Sequence, residues 1–307
     1  MIADPRAVLE TLQALPVRVE CAEVRVFEVP VQPYEGGARP SSEVSVHGAG
    51  ERGRGECVAW TRDAHQRFAA NLEGYRYSGL LGEAPLPTDR YEAAALQSAL
   101  IDLAMRQASL GWDAISGART TTLRTWVSFD RCADPAARVQ RIDPDARYKI
   151  DVDPAWSEAQ FAALSRFRVG VLDFKHAPGA AICERARAHF PTAIFEDPAV
   201  ASGPTARDQV VLEPVHAEVA PGEWVNLKSP RMGGWFAVLD ALDRCFARGT
   251  PVYFGGMFEL GVGRVQARLM AAAFAPVARH DLASIPERET DTRRPARVDP
   301  SAVGFGS

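Results

Sequence analysis

Charged residues stand at the ends of five short apolar segments in the second half of the chain. The segments RYKID, VGVLDF, AIFED, VVLE and WVNLK read as β-strands, and their charged residues are Asp151, Asp173, Glu196, Glu213 and Lys228. The carboxyl ends of parallel strands meet at one face of a barrel, so we expect these side chains to converge there. One charged residue at a strand end is ordinary because loops begin there, but five on successive strands are typical of a functional site.

Two lysines share a face with these carboxylates. Side chains two residues apart on a strand point to the same side, so Lys149 accompanies Asp151, and Lys175 accompanies Asp173. A cluster of carboxylates needs compensation, which could come from a hard cation such as Mg²⁺, from an ammonium group, or from raised pKa values. The residues alone leave these three alternatives open.

The elements that must position these residues follow from hydrophobic patterning. Residues 18–60 hold three β-like runs and residues 91–110 a helical stripe, so residues 1–117 are predicted to form an α+β unit. Over residues 118–283, short apolar strands alternate with helical stretches, which is the pattern of repeated βα units. The polar tail, residues 284–307, is expected to pack on the first unit or to be partly disordered.

Composition excludes several classes of function. The 307 residues carry a formal net charge of −4, and no block of basic residues indicates a nucleic-acid face. No segment has the length of a membrane span and the first residues lack a signal-peptide pattern, so a cytoplasmic protein without nucleic-acid or membrane partners is expected. The five cysteines are scattered without metal-ligand spacing and are expected to be reduced thiols.

One stretch carries a resemblance to a known family. The segments VNLKSPRMGG and PVYFGGMFELGVGR resemble the sixth strand with its lysine and the seventh-strand GGMxExGxGR motif of the enolase superfamily. The similar branch is that of muconate-lactonising enzymes, dipeptide epimerases and o-succinylbenzoate synthase. The segments ALQSALIDLAMRQASLGW and GECVAW are similar to parts of that family's capping domain. The resemblance implies an α/β fold, a modified TIM-type (β/α)7β barrel with an N-terminal α+β capping domain.

The resemblance also implies roles for individual residues. Asp173, Glu196 and Glu213 match the Mg²⁺ ligands of the third, fourth and fifth strands, and Lys228 matches the sixth-strand lysine that lies opposite the second-strand base. The other residues at implied catalytic positions are Lys149, Asp151 and Lys175. The implied substrate contacts are Asn226, Arg231, Gly256, Met257, Glu259 and, in the capping loop QPYEGGARPSS, Tyr34. The substrate would be a small-molecule carboxylate, and a homo-oligomer is left open.

Two strands depart from the pattern of the family. The second strand of the family ends K-x-K, whereas this chain has K-I-D at residues 149–151. The third strand is normally D-x-N, whereas this chain has D-F-K at residues 173–175. Lys175 would place an ammonium group among the expected metal ligands and could replace the ion.

Spacing predicts a further departure. Glu196 and Glu213 are 17 residues apart, and Glu213 and Lys228 are 15 apart. A full βα unit with an ordinary helix needs ~20 residues or more. One or two barrel helices are therefore expected to be shortened or absent.

Two smaller features leave alternatives open. His216 follows Glu213 by three residues and could reach the site, or it could be structural. The GVGR turn after Glu259 opens a helix whose free N–H groups could bind an anion. The glycines could equally serve only for tight turning of the chain.

Two functions are compatible with these residues. The first is an enzyme that abstracts a proton α to a carboxylate, as a lyase, cycloisomerase or isomerase of the o-succinylbenzoate synthase-like kind. Lys228 would be its base or the cation that faces the enolate, and the missing second-strand lysine disfavours two-base racemisation. The second is a divergent barrel without metal-dependent catalysis that acts as a binding or interaction protein. Lys175 at the metal position and Asp151 at the base position favour this second function.

Overall fold

The computed structural model describes residues 2–30, 38–176, 179–200, 203–208, 223–259, 261–282 and 296–305. The helices are α1 (Pro5–Gln13), α2 (Arg62–Asn71), α3 (Arg90–Gln107), α4 (Trp112–Ser116), α5 (Pro135–Ile142), α6 (Glu158–Leu164), α7 (Ala180–His189), α8 (Ser229–Met232), α9 (Trp235–Ala247) and α10 (Val262–Phe274). The strands are β1 (Pro16–Val19), β2 (Cys21–Pro30), β3 (Ala38–Gly48), β4 (Glu51–Cys57), β5 (Tyr77–Leu80), β6 (Thr121–Thr125), β7 (Val127–Phe129), β8 (Arg147–Asp151), β9 (Arg168–Asp173), β10 (Ile194–Glu196), β11 (Thr205–Asp208), β12 (Trp224–Leu227), β13 (Val252–Phe254), β14 (Arg279–His280) and β15 (Ala296–Val298). No helix among them combines the length and the apolar character that a membrane span requires.

The first unit is an antiparallel sheet covered by one long helix. Strands β2, β3 and β4 pair in that order, and α3 packs against β4. The approach is close because β4 carries glycines where α3 crosses it. A Cβ at Gly53 would lie 2.2 Å from the carbonyl oxygen of Ala99, and one at Gly55 would lie 2.0 Å from that of Ala95. The GRGEC segment therefore fixes how near the helix can come to the sheet.

The second unit is a parallel sheet that closes on itself. Strands β7 to β13 pair in chain order and all run parallel. The two-residue strand β14 joins the two edges. On one side the N–H of Asp281 donates to the carbonyl of Phe254 at 2.8 Å, and on the other the N–H of Trp126 donates to the carbonyl of His280 at 2.8 Å. With β6 and β7 counted as one interrupted strand, eight strand positions surround the interior, and their carboxyl ends share one face.

Helices connect most of these strands, as expected for βα units. α5, α6 and α7 precede β8, β9 and β10, the pair α8 and α9 precedes β13, and α10 precedes β14. Only residues 197–204 separate β10 from β11, and the described part of this connection contains no helix. The prediction that a barrel helix is shortened or absent is confirmed at this connection.

The fifth barrel strand lies earlier in the chain than the sequence pattern indicates. The pattern favours VVLE, residues 210–213, which fall outside the described residues. The strand that pairs with both β10 and β12 is β11, where Ala206 lies opposite Glu196, and Asp208 lies opposite Asn226. The polar sequence TARD has a low β-propensity, so propensity points to the more apolar segment that follows.

Two buried clusters hold these elements in place. One joins the first unit to α9 and α10, and the rings of Trp112, Trp235 and Phe305 meet within it. The other fills the space between strands β7 to β10 and helices α5 to α7, and it includes Tyr148 and Ile150 of β8. Because these two residues face the helices, the alternate residues of β8 face the barrel interior.

The end of the chain contacts both units. Strand β15 pairs antiparallel with β6. The N–H of Phe305 donates to Asp102 Oδ1 on α3 at 2.8 Å, and Asp102 Oδ2 accepts from the N–H of Arg54 at 2.9 Å. A division into two domains at residues 117 and 118 stays a prediction.

We expect Gly55→Ala to lower the free energy of unfolding by ~3 kcal/mol, because the added methyl group has no space between β4 and α3. Urea denaturation followed by far-UV circular dichroism measures this change. Glu51→Ala is the matched control, since Glu51 is exposed on the same strand and its loss should change stability by less than ~0.5 kcal/mol. An unchanged denaturation midpoint for Gly55→Ala would contradict the close packing described here.

Candidate active site

Lys149 is buried among three carboxylates inside the barrel. Its ammonium group lies 2.8 Å from both oxygens of Glu196, 3.1 Å from Asp281 Oδ2 and 3.3 Å from Asp173 Oδ2. Only 3% of its side chain is exposed. Burial by itself lowers the pKa of Lys149, but the charges of Asp281, Glu196 and Asp173 hold it well above its ordinary value. Lys149 is therefore a permanent cation in the barrel interior.

Glu196, at the end of β10, is surrounded by hydrogen-bond donors. Its Oε1 accepts from Lys149 and, at 3.1 Å, from Asn226 Nδ2 on β12. Its Oε2 accepts from Lys149 and from the hydroxyl of Tyr253 on β13. Lys228, at the end of β12, brings its ammonium group to 3.9 Å from Oε1. A carboxylate offers about four acceptor positions, so those of Glu196 are filled.

Asp173, at the end of β9, is bound by the lysine two residues later. Lys175 donates its backbone N–H to Asp173 Oδ1 at 3.0 Å and its ammonium to Oδ2 at 2.5 Å. The chain can turn back here because Lys175 adopts a left-handed backbone with a φ of 51°. Burial raises the pKa of Asp173, but Lys149 and Lys175 together lower it to about 2. Asp173 is therefore ionised at neutral pH.

Asp151, at the end of β8, has a different environment from Asp173. Its side chain is 16% exposed, and its Oδ1 lies 3.3 Å from the ammonium group of Lys175. Burial raises the pKa of Asp151 to about 7, with Lys175 opposing the shift and Asp173 adding to it. A carboxyl group with this pKa can both bind and release a proton near neutral pH, as a general acid or base must.

The structure brings most of the residues implied as catalytic or metal-binding into one cluster. Its members are Lys149, Asp151, Asp173, Lys175, Glu196 and Lys228, and Asn226 joins it through Glu196. Glu213, Tyr34 and His216 lie outside the described residues. The catalytic and binding roles of all these residues stay predictions.

Asp281, Ser128 and Tyr253 complete the cluster although the sequence pattern did not reveal them. Asp281 follows β14, contacts Lys149 and accepts a hydrogen bond from Ser128 on β7. Burial raises the pKa of Asp281, but Lys149 and Lys228 bring it below its ordinary value. A two-residue strand has no apolar run that would mark its end. A compositional signal was available, since the chain has 35 lysines and arginines in total but only three lysines, and all three lie in this cluster.

The glycine-rich motif after β13 forms the wall beside Lys228. A Cβ at Gly255 would lie 2.7 Å from Lys228 Cε, so a larger residue would displace the lysine. Met257 donates its N–H to Glu259 Oε2 at 2.9 Å, and Arg264 Nε donates to the Glu259 carbonyl at 2.9 Å. Met257 and Glu259, which were expected to contact substrate, are thus held by bonds within the motif.

Two further residues implied as substrate contacts lie near the cluster. Gly256 donates its N–H to the carbonyl of Asp281 at 2.9 Å, and a Cβ there would lie 2.9 Å from Glu259 Oε2. Arg231 lies on α8, three residues after Lys228, where its carbonyl accepts from Arg90 Nη1 at 3.3 Å. Substrate contacts by Gly256 and Arg231 stay a prediction.

A carboxylate of the first unit occupies the N-terminus of α10. Glu56 Oε2, on β4, accepts from the N–H groups of Gly261 and Gly263, each at 3.0 Å. Helix N-termini attract anions because their N–H groups are unpaired and the helix dipole is positive there. The N–H groups of the GVGR turn therefore bind an anion, and that anion is Glu56 of the GEC segment of this chain.

The acidic residues also have the spacing of a metal site. Ligand oxygens of Asp173, Glu196 and Asp197 lie within 4.8 Å of one another, so this cluster could hold a metal ion. The same carboxylates are in contact with ammonium groups, Glu196 with Lys149 at 2.8 Å and Asp173 with Lys175 at 2.5 Å. With these two ammonium groups in place the donor set does not fit Mg²⁺, which needs oxygen ligands around it in near-octahedral geometry.

Comparisons with known proteins place the chain in a family. The family model described as "Domain of unknown function (DUF8230) C-terminal domain" matches residues 120–286. An N-succinylamino acid racemase from Amycolatopsis sp is 37% identical over 73 residues. That match covers 24% of this chain and spans only 18% of the racemase.

Solved structures share the fold over nearly the whole chain. An enolase-superfamily member from Listeria innocua has a TM-score of 0.75 at 16% identity, with 94% of each chain covered. A dipeptide epimerase from Methylococcus capsulatus, complexed with Mg and a dipeptide, has a TM-score of 0.75 at 19% identity, covering 94% of this chain and 99% of the epimerase. The muconate lactonizing enzyme of Pseudomonas putida has a TM-score of 0.72 at 15% identity, covering 94% and 96%. The predicted barrel fold, with its N-terminal α+β unit, is confirmed as the fold of enolase-superfamily proteins.

The raised pKa of Asp151 has a consequence for stability. Its folded-state pKa of about 7 lies above the ordinary value of ~4. In the pH window between these two values, the unfolded chain loses a proton that the folded chain retains. The free energy of unfolding therefore falls as pH rises through this window. We expect the melting temperature of Asp151→Asn, relative to that of the unsubstituted protein, to increase as pH rises from about 4 to about 7.

Thermal unfolding in a series of buffers measures this difference. Asp145→Asn is the control for the same substitution at an exposed position, on the loop before β8. An offset for Asp151→Asn that does not change with pH would mean that Asp151 ionises in the folded protein as it does in the unfolded chain.

Proposed function

We propose, from the premise that the chain belongs to the DUF8230 family and has the enolase-superfamily fold, that it is an enzyme which removes a proton α to a carboxylate. The observation that carries the proposal is the convergence of all three lysines of the chain on the carboxyl ends of the barrel strands. Removing such a proton creates negative charge on the substrate. Fixed cations in a water-poor site stabilise that charge strongly.

Lys228 is the cation we assign to the developing enolate. Its side chain is 4% exposed, and among its contacts is Glu196, at 3.9 Å. Gly255 leaves the space that its side chain needs. A positioned ammonium group of this kind can stabilise the anion or, after losing its own proton, act as the base.

Asp151 is the residue we assign to proton transfer. It ends the second barrel strand, whereas Lys228 ends the sixth, so the two approach the interior from opposite sides of an eight-stranded barrel. The pKa of about 7 lets Asp151 accept a proton from the substrate and return it to a product. Two unlike groups on opposite sides favour chemistry at one face, that is, a lyase, a cycloisomerase or a one-face isomerase such as an o-succinylbenzoate synthase-like enzyme.

The names of the similar proteins indicate which substrates to test first. An N-succinylamino acid racemase and a dipeptide epimerase are among the similar proteins, so N-succinylamino acids and dipeptides are the first carboxylates to test. The alternative of a binding barrel without catalysis is not favoured by a fold shared with these enzymes. We also propose that the protein works in the cytoplasm.

We expect Lys228→Ala to reduce α-proton exchange by at least ~10²-fold, the usual scale for a positioned acid–base group. The assay incubates the N-succinylamino acid and dipeptide panel with protein in deuterated buffer and follows loss of the α-proton signal by NMR. Lys228→Arg tests for charge alone, and Arg248→Ala, an exposed position after α9, is the control for a surface substitution.

Thermal unfolding of the same variants separates catalysis from structure. A catalytic Lys228 predicts a melting temperature that changes little. A purely structural Lys228 predicts unchanged exchange together with destabilisation of ~3 kcal/mol or more, since Glu196 would lose a nearby countercharge. That second outcome would refute the enzymatic proposal for this residue and favour the binding barrel.

A further inference from the structure

We propose that the barrel mouth works without a divalent cation, with the ammonium group of Lys175 in its place, and that Lys175 presents an N–H to the carboxylate of the substrate. The exclusion of the metal stands on the geometry of the described residues alone. The assignment of a carboxylate ligand rests on the proposed function.

A metal ion on Glu196 would have to displace one of its present donors. Each of its oxygens is bonded to Lys149 at 2.8 Å and to one further donor, Asn226 on Oε1 and Tyr253 on Oε2. Mg²⁺ binds oxygen at ~2.1 Å, so it would need one of these positions. The closest ammonium would then lie within a few ångströms of the dication, and like charges at that distance repel strongly in a buried site.

Both carboxylate oxygens of Asp173 are also bonded to donors of the chain. Lys175 takes Oδ1 through its backbone N–H at 3.0 Å and Oδ2 through its ammonium group at 2.5 Å, while Lys149 lies 3.3 Å from Oδ2. The left-handed turn at Lys175 folds its side chain back onto Asp173. Displacing the ammonium would leave the Asp173 carboxylate buried with one partner fewer.

The central charges are already balanced without an ion. Three carboxylates, those of Asp173, Glu196 and Asp281, face the three ammonium groups of Lys149, Lys175 and Lys228. At the edges of this group, Asp151 contacts Lys175, and Asp197 lies 3.4 Å from His176 Nε2. A dication would add two positive charges beside these six groups, whose own charges sum to zero.

All three cations of this cluster are lysines. An ammonium group is a compact point charge with three donors, whereas a guanidinium group is a planar fork. The chain has 35 lysines and arginines in total, and 32 of them are arginines (35 − 3), yet none of the three cations in this cluster is an arginine. Compactness therefore matters here, as it does for a group that stands where a metal ion would.

Lys175 is the cation that a ligand can reach. Its side chain is 41% exposed, whereas those of Lys149 and Lys228 are 3% and 4% exposed. Among the described residues its ammonium contacts two carboxylates, Asp173 and Asp151. An ammonium group has three N–H donors, so one remains for a carboxylate oxygen of the ligand.

The test compares Mn²⁺ binding by three proteins, measured from the electron paramagnetic resonance signal of free Mn²⁺. The unsubstituted protein should bind no equivalent of Mn²⁺ at millimolar concentration. Lys175→Asn should bind one equivalent at least ~10²-fold more tightly, because it removes a unit charge ~4 Å from the ion. Asparagine also tolerates the left-handed backbone at this position. Lys175→Arg keeps the charge and should bind as weakly as the unsubstituted protein.

Each outcome decides the proposal. One equivalent of Mn²⁺ on the unsubstituted protein overturns it, whether or not the variants fold. Absence of a gain in Lys175→Asn, and in Lys175→Gln as a second neutral variant, overturns the assignment to Lys175. Exchange assays with a chelator distinguish the metal-independence proposal from the proposed enzymatic function. If chelation abolishes α-proton exchange, metal independence is refuted but the proposal that the protein is an enzyme stands. No exchange under any condition refutes the enzyme, and Mn²⁺ binding still decides the metal question.

Discussion

The buried ammonium group of Lys149 is the interaction on which the barrel interior depends. It connects strands β8, β9, β10 and the eighth position through bonds to Asp173, Glu196 and Asp281, all within 3.3 Å. Removing one partner of a buried ion pair costs ~3–5 kcal/mol because the other charge is left uncompensated. Here three carboxylates would lose their shared cation. The positions of these three carboxylates are therefore set relative to Lys149.

The first unit determines the shape of the wall beside this cluster. Glu56 of β4 holds the N-terminus of α10, and Arg39 of β3 donates to the carbonyls of Met257 at 2.7 Å and Val58 at 2.5 Å. Both side chains are buried, so these bonds are shielded from water. The segment from β13 to α10, which stands against Lys228, is thus positioned by residues far away in sequence. A barrel without the first unit would lack this support.

The sequence could reveal the parts of the site that follow from local periodicity. An apolar run that ends in a charge, read with a period of two, correctly groups Lys149 with Asp151 and locates Asp173, Glu196 and Lys228 at one face. The period-of-two rule does not predict the position of Asp197, because it places neighbouring residues such as Glu196 and Asp197 on opposite faces. Asp197 has a left-handed backbone with a φ of 48°, and its carboxylate lies with those of Asp173 and Glu196. The rule also misses Asp281, because the two-residue strand β14 forms through pairing with both edges of the sheet rather than through its own β-propensity.

A site whose carboxylates are compensated by lysine side chains differs from a site that must bind a metal ion. Its carboxylates are compensated by ammonium groups of the chain itself, and within the described part of the chain the exposed ammonium group of Lys175 is the charge that a ligand can reach. A single ammonium attracts a carboxylate less strongly than a dication does. In the proposed reaction, stabilisation of the enolate would come from the buried ammonium groups nearby. Lys228, enclosed beside Gly255, would act where the effective dielectric is low and its field is least screened. The burial of Lys228 and the exposure of Lys175 thus divide between two lysines the binding and charge stabilisation that one metal ion could provide together.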